Sequence, residues 1–279
     1  MPTVSATAVS TGGEEATDRY FATEGARLRY RDEGRGPVVL LVHGWALDLQ
    51  MWDALAAALC DEFRVVRMDR RGFGLSSGVP DLERDIADLQ ALRRHLTLHD
   101  VALLGMSQGA RAVLRLAMTE DSTLSCLVLD GPPDDSTAEL DVPLAHYRAL
   151  ARSAGVEAVR VEWATHALMQ LRTGKPAARR LLNAMLGRYP GFDLAEGARA
   201  ADSTPGRWRP ESIATPALVI TGEYDLESRL QAADLLAQRL PAAERAMICD
   251  AGHLAALDNP EAYNSLVRAF LKRHTAAPL

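Results

Sequence analysis

Short apolar runs alternate with amphipathic stretches along most of this chain. Strand-like segments fall at 20–23, 26–32, 38–42, 64–68, 101–104, 124–129, 217–221 and 246–249. Between the later ones the apolar spacing changes from a run to a helical stripe. Ala110, Val113, Leu114 and Ala117 stand at i, i+3, i+4 and i+7, with Arg111 and Arg115 off that face. Trp52, Leu55, Ala56 and Leu59 make a second stripe, and Leu82, Ile86, Leu89 and Leu96 a third. Near the end Asn259 is placed as an N-cap with Pro260 at the first helical position, followed by Tyr263, Leu266, Val267, Phe270 and Leu271 on one side. Strand alternating with helix predicts an α/β fold: a mostly parallel sheet of about eight strands flanked by helices. The first two strand-like segments lack a helix between them and predict a hairpin at one edge.

The alternation breaks at 131–215, after the sixth strand. This stretch opens with Gly131-Pro132-Pro133-Asp134-Asp135 and closes through Thr204-Pro205-Gly206, with helical patterns at 143–154, 156–171, 177–186 and 194–201. On the second of these Val159, Trp163, His166, Ala167 and Gln170 share one face. The expected organisation is a flexible tail at 1–17, a core domain at 18–130 and 216–279, and a helical insert at 131–215.

Candidate chemistry gathers at the carboxyl ends of predicted strands. Gly105-Met106-Ser107-Gln108-Gly109 joins an apolar strand to a helix. A sharp turn there forces Ser107 into a strained backbone conformation and presents its hydroxyl at the sheet edge. The helix that follows aims unpaired amides and its positive dipole end at the place where an oxyanion would form. A serine needs a base, and the base an orienting acid. His253 follows the last strand and Gly252; Asp225 follows the seventh strand and Gly222. Strand ends of a parallel sheet share one edge, so these three distant residues can converge there. Asp130 also ends a strand and is the alternative acid, whereas Asp250 only closes the last strand. His95 and His99 have a metal-capable i, i+4 spacing, but the helix is ending there and a third ligand is missing. No metal is expected.

These residues resemble the α/β-hydrolase superfamily, over about 20–273. The resemblance rests on Val42-His43-Gly44-Trp45, on Asp69-Arg70-Arg71-Gly72-Phe73-Gly74-Leu75-Ser76, on the serine turn, and on Ala251-Gly252-His253. The chain order Ser107, Asp225, His253 also matches that family. The resemblance implies an oxyanion hole made by the amides of Trp45 and Gln108, with His43 holding the loop's shape. It makes the insert a cap that excludes water and shapes the pocket, for which Trp163, His166 and Met169 are the expected substrate contacts. The segment from Gly252 to Tyr263 looks most like small bacterial esterases and enol-lactonases. Leu254 stands where carbon–carbon bond hydrolases of aromatic degradation often carry Trp, and Ser107 replaces the Asp nucleophile of haloalkane dehalogenases and epoxide hydrolases. The expected activity is therefore hydrolysis of a small carboxylic ester or lactone without a cofactor. A carbon–carbon bond hydrolase, a cofactor-free perhydrolase or haloperoxidase, and a catalytically silent small-molecule receptor stay open as alternatives.

Composition narrows the setting. The 279 residues are 48% hydrophobic and 24% charged, ordinary globular values, and the net charge of −6 argues against nucleic acid as a partner. No apolar run approaches the ~18–20 residues of a membrane span. Met1 to Thr17 lack the basic start and apolar centre of a secretory signal. Three cysteines, Cys60, Cys126 and Cys249, follow no metal spacing. The expected location is cytoplasmic, with a small-molecule substrate as the partner; oligomeric state is left open.

Overall fold

The computed structural model describes residues 17–120, 123–134, 141–195 and 209–275. Eight strands form one sheet: β1 (Arg19–Thr23), β2 (Ala26–Glu33), β3 (Val38–Val42), β4 (Arg64–Met68), β5 (Val101–Met106), β6 (Leu124–Asp130), β7 (Ala217–Gly222) and β8 (Ala243–Ile248). Their spatial order is β1-β2-β4-β3-β5-β6-β7-β8. The β1–β2 and β2–β4 pairings are antiparallel, and all the others are parallel. The chain leaves β3 for β4 on one side and then crosses to β5 on the other. Such a reversal opens a crevice beyond the carboxyl ends of β3 and β5.

The central strands β3 and β5 are apolar throughout because both faces are covered. Val39 and Leu41 point into one core, Leu40 and Val42 into the other, as the two-residue period of a strand requires. One core packs the sheet against α2 (Leu82–His95), α3 (Gln108–Glu120) and α6 (Glu227–Arg239). The opposite core takes α1 (Asp53–Leu59) and the last helix, α8 (Pro260–His274), which follows the one-turn α7 (Ala255–Asp258). Asn259 does cap α8, its side chain accepting from the Ala262 amide with Pro260 at the first turn.

Between β6 and β7 lie α4 (Leu144–Thr165) and α5 (Pro176–Arg188). Tyr147, Val159, Trp163, Leu182, Met185 and Tyr189 from this insert belong to the same apolar core as α1 and α8. The two sequence-predicted helices meet as one span broken at Gly155, whose φ of 83° and ψ of 167° are non-helical. The second half is shorter than expected. It ends at Thr165 because His166 turns to extended backbone, and its side chain accepts from the Leu168 amide to start a 3-10 turn at Ala167–Met169. The helical pattern at 194–201 lies outside the described residues beyond Ala195, as does the expected tail before Thr17. Among the described residues no helix is long and apolar enough to cross a membrane.

Candidate active site

Ser107 closes β5 with φ of 53°, a left-handed conformation that strains a residue bearing a side chain. Its flanking glycines are required by contact. A Cβ on Gly109 would stand 2.4 Å from the Val42 carbonyl oxygen, and one on Gly105 2.4 Å from that of Gly109. The Ser107 amide donates to the Asp130 carbonyl at 2.7 Å, and α3 starts at the next residue. The turn is thus fixed to β6 on one side and to the β3 loop on the other.

The imidazole and its carboxylate arrive from the far half of the sheet. His253 Nδ1 lies 2.8 Å from Asp225 Oδ2, and both side chains are almost wholly out of solvent, at 2% and 1% exposure. The carboxylate accepts, so the Nδ1 position carries the proton and Nε2 is left as the basic nitrogen. Asp225 sits in a turn tied by Tyr224 N to the Ala251 carbonyl, 2.8 Å, which fixes the two loops against each other. Asp258 adds a second tie, its Oδ2 accepting from the Gly252 amide at 2.8 Å. Gly131, the residue after Asp130, meets the ring: a Cβ there would be 2.8 Å from His253 Cε1. The Asp130–Gly131 junction therefore touches both Ser107 and His253.

Asp130 itself turns away from the imidazole. Its Oδ2 accepts from the Tyr263 hydroxyl at 3.0 Å, while Oδ1 is buried without a partner among the described residues. Burial pushes its carboxyl up to about 8, and the neighbouring Asp225 charge adds to that. The group is neutral at pH 7, which suits its place beside a second carboxylate.

The loop after β3 brings Gly44 against Ser107. A Cβ on Gly44 would stand 3.3 Å from that of Ser107. Buried His43 holds this loop: Nε2 accepts from the Arg70 amide at 2.8 Å, and Nδ1 donates to the Gly44 carbonyl at 2.7 Å. Burial, reinforced by the Arg70 charge, drops its pKa to about 3, so it stays neutral and can accept. Arg70 also reaches Gln108, donating from Nη1 to Oε1 at 2.7 Å, while Asp85 takes its Nε at 3.0 Å. One residue thus braces both segments whose amides are the candidate oxyanion donors. Arg70 falls in one of the motifs that carry the family resemblance, but nothing local marks this bracing role.

Trp45 extends its side chain into the insert. Its Nε1 donates to Asp193 Oδ2 at 2.6 Å, and the Tyr189 hydroxyl donates to Asp193 Oδ1 at 2.6 Å. Its ring centroid is 4.7 Å from that of Trp163 and 5.6 Å from that of Tyr147. Trp163 in turn stacks on His166 at 4.5 Å, and His166 feels the charges of Asp141, His253 and Arg229. Trp163 and Met169 are both buried in the apolar core, and His166 stands against the Trp163 ring. Tyr147, Tyr189 and Asp193 are additions that sequence reading missed, because nothing local marks them. The histidine pair considered for metal has a bland use at His95, whose ring stacks on Phe21 at 5.4 Å.

The α/β-hydrolase fold family matches residues 37–260. A thermophilic esterase from Thermogutta terrifontis is similar over 94% of this chain and 100% of its own, with a TM-score of 0.78 and 30% identity. An enol-lactonase from Burkholderia xenovorans LB400 covers 91% of this chain and all of its own, with a TM-score of 0.77 and 26% identity. A Bacillus subtilis (strain 168) protein, provisionally named a 2-succinyl-6-hydroxy-2,4-cyclohexadiene-1-carboxylate synthase, is 29% identical over 91% of this chain and 98% of its own.

Proposed function

Because the chain belongs to the α/β-hydrolase family, we propose that it is a serine hydrolase cleaving a small carboxylic ester or lactone. The observation that carries this reading is the buried 2.8 Å hydrogen bond from His253 Nδ1 to Asp225, joined through the Asp130–Gly131 junction to a strained serine. His253 Nε2 takes the Ser107 proton as Oγ attacks the substrate carbonyl carbon. The amides of Trp45 and Gln108 hold the tetrahedral oxyanion. His253 then gives its proton to the departing alkoxide, which leaves as the alcohol. Water, deprotonated by His253, attacks the acyl-enzyme; the acid departs and Ser107 regains its proton. Asp225 keeps the imidazole in the useful tautomer and balances its cation.

The insert acts as the cap in this reading, with Trp163, His166 and Met169 contacting substrate and the Trp45 indole joining cap to oxyanion loop. Ester and lactone substrates are supported by the names of the esterase and enol-lactonase relatives. A cytoplasmic location fits the free thiols of Cys60, Cys126 and Cys249. No cofactor enters any step. The test is labelling with a fluorophosphonate probe, followed by a screen of short esters, long esters, lactones and diketones. Ser107→Ala is expected to abolish labelling and to lower turnover on the order of 10⁶-fold with the fold intact. Ester cleavage retained by the purified variant overturns the assignment.

A further inference from the structure

Arg229 lies on α6 with 2% exposure, between the insert and the proposed triad. Its Nε is 2.7 Å from Asp141 Oδ2, and Asp141, contributed by the insert, is itself only 6% exposed. Ser228 Oγ donates to the other Asp141 oxygen at 2.6 Å. On the opposite side Arg229 Nη1 donates to the Gly131 carbonyl at 3.4 Å, and Gly131 is the residue pressed against His253. A guanidinium keeps its charge even when buried, so this one must be balanced by neighbouring anions. Desolvation lowers the Arg229 pKa, and the two carboxylates that oppose this are Asp141 and Asp225.

Resting on the hydrolase reading above, we propose that Arg229 and Asp141 are a positioning pair that sets the charge felt by His253. Arg229 ties the insert to the backbone beside the imidazole, and Asp141 cancels the positive charge that this tie introduces.

Charge counting shows why the pair matters to the reaction. At rest Asp225 and Asp141 are negative, Arg229 is positive and His253 is neutral, leaving one net negative charge. When His253 takes the Ser107 proton the group becomes neutral, so the imidazolium forms in a favourable field. Beside Gly252 stand Asp258, whose Oδ2 accepts from the Gly252 amide, and Arg172, whose amide donates to Asp258 Oδ1; their opposite charges leave this count unchanged, and the other titratable neighbours do not alter it. Asp130, hydrogen-bonded to Tyr263, is held protonated by burial; His166 is shifted toward its neutral form, also by burial; and Glu162 is paired with His146 at 2.7 Å. Without Asp141 the same proton transfer would create a net positive cluster, and Arg229 would turn to Asp225 as its remaining anion. Seating of the insert and readiness of the base are thereby linked.

The test is the pH dependence of fluorophosphonate labelling of Ser107 in the full chain, which needs no knowledge of the natural substrate. In Asp141→Asn the acid limb is expected to move to lower pH and the plateau rate to fall several-fold. In Arg229→Gln the limb should move to higher pH. Each shift is about one to two pH units, as for one charge several ångströms away at an effective dielectric of ~20–40. The double variant Asp141→Asn/Arg229→Gln should return the limb to its wild-type position, and Arg229→Lys, which keeps the charge, should leave it there. A pair that merely holds the fold would lower the melting temperature and leave the limb where it was. Limbs that stay put in both single variants, or move in the same direction, overturn the pairing alone. Should circular dichroism show Asp141→Asn to be unfolded, the contrast between Arg229→Gln and Arg229→Lys decides on the same criterion. A wild-type chain that is not labelled overturns the hydrolase reading, and the pairing with it.

Discussion

Gly131→Ala should separate catalytic geometry from fold stability at one atom's expense. Gly131 has φ of 52°, so an alanine there carries the strain of the left-handed region, about 1–2 kcal/mol. Its new methyl would also stand 2.8 Å from His253 Cε1, 2.9 Å from Nδ1 and 3.4 Å from Asp225 Oδ2. An ordinary carbon–carbon contact is ~3.5 Å, so the ring must retreat by about 0.7 Å. It is 2% exposed and held at 2.8 Å by Asp225, so the retreat disturbs that hydrogen bond or turns Nε2 away from Ser107. Misplacing a reacting group by ~1 Å costs about 10²-fold, so kcat/KM should fall roughly 10- to 100-fold. Hydrolysis of p-nitrophenyl acetate measures this, with thermal unfolding followed by circular dichroism. Gly155→Ala is the control. It too has positive φ, 83°, but a Cβ there meets nothing within 4 Å. It should lose comparable stability and keep its rate within about twofold. A Gly131→Ala enzyme as fast as that control would refute the contact argument.

Three further outcomes are expected. Asp225→Asn should lower kcat about 10⁴-fold by favouring the wrong imidazole tautomer; a loss under about tenfold in steady-state assays would shift the acid's role to Asp130. Asp130→Asn should remove a pH dependence of stability. The folded carboxyl titrates at about 8 against a reference of 3.8, so the native chain binds the extra proton between those values and Asp130 makes stability fall as pH rises through them. Urea unfolding should therefore show the wild type losing more stability than the variant from pH 5 to pH 8, and parallel curves would contradict the assignment. Asp193→Ala strands two donors, Trp45 Nε1 and the Tyr189 hydroxyl, at a cost of about 2–4 kcal/mol. An unchanged melting temperature would mean that the insert does not depend on that link.

What could be read from the sequence divides along the range of the interaction. The central strands β3 and β5 were legible because burial on both faces leaves an unbroken apolar run. β8 was only partly so: its first residues, Ala243 to Arg245, lie on the sheet edge with few apolar positions to mark them. The break at Gly155 was legible from a glycine between two helical patterns. The end of α4 was not, since His166 continued the apolar face while its side chain was taken by the Leu168 amide. Ser107, Asp225 and His253 could be proposed from the sequence because each follows a strand, and strand ends are predictable. Asp141, Asp193 and Arg229 were invisible for the converse reason. Their partners lie far away in the chain, and a charged residue carries no local sign that it will be buried.

The spacing of the proposed catalytic groups is set less by those groups than by the end of β6. Asp130 gives its carbonyl to the Ser107 amide and its carboxyl to Tyr263 of α8, while the Gly131 amide donates to the Ile220 carbonyl at 2.9 Å. Gly131 then meets His253 and accepts from Arg229. These partners belong to the sheet, its edge loops, α6 or α8, and none is contributed by the insert's helices. The insert reaches the site by different routes, through Trp45 to Asp193 and through Asp141 to Arg229. On the proposed hydrolase reading, changes in the insert can therefore reshape the substrate side, or the charge around the base, without moving the serine relative to the imidazole. That separation accounts physically for a scaffold whose similar relatives carry the names of an esterase, an enol-lactonase and a carboxylate synthase. It also predicts where specificity is to be engineered: substitutions at Trp163 or His166 should change the ranking of ester and lactone substrates while leaving the rate of fluorophosphonate labelling within a few-fold, and a uniform loss across probe and substrates alike would place those residues in the chemistry itself.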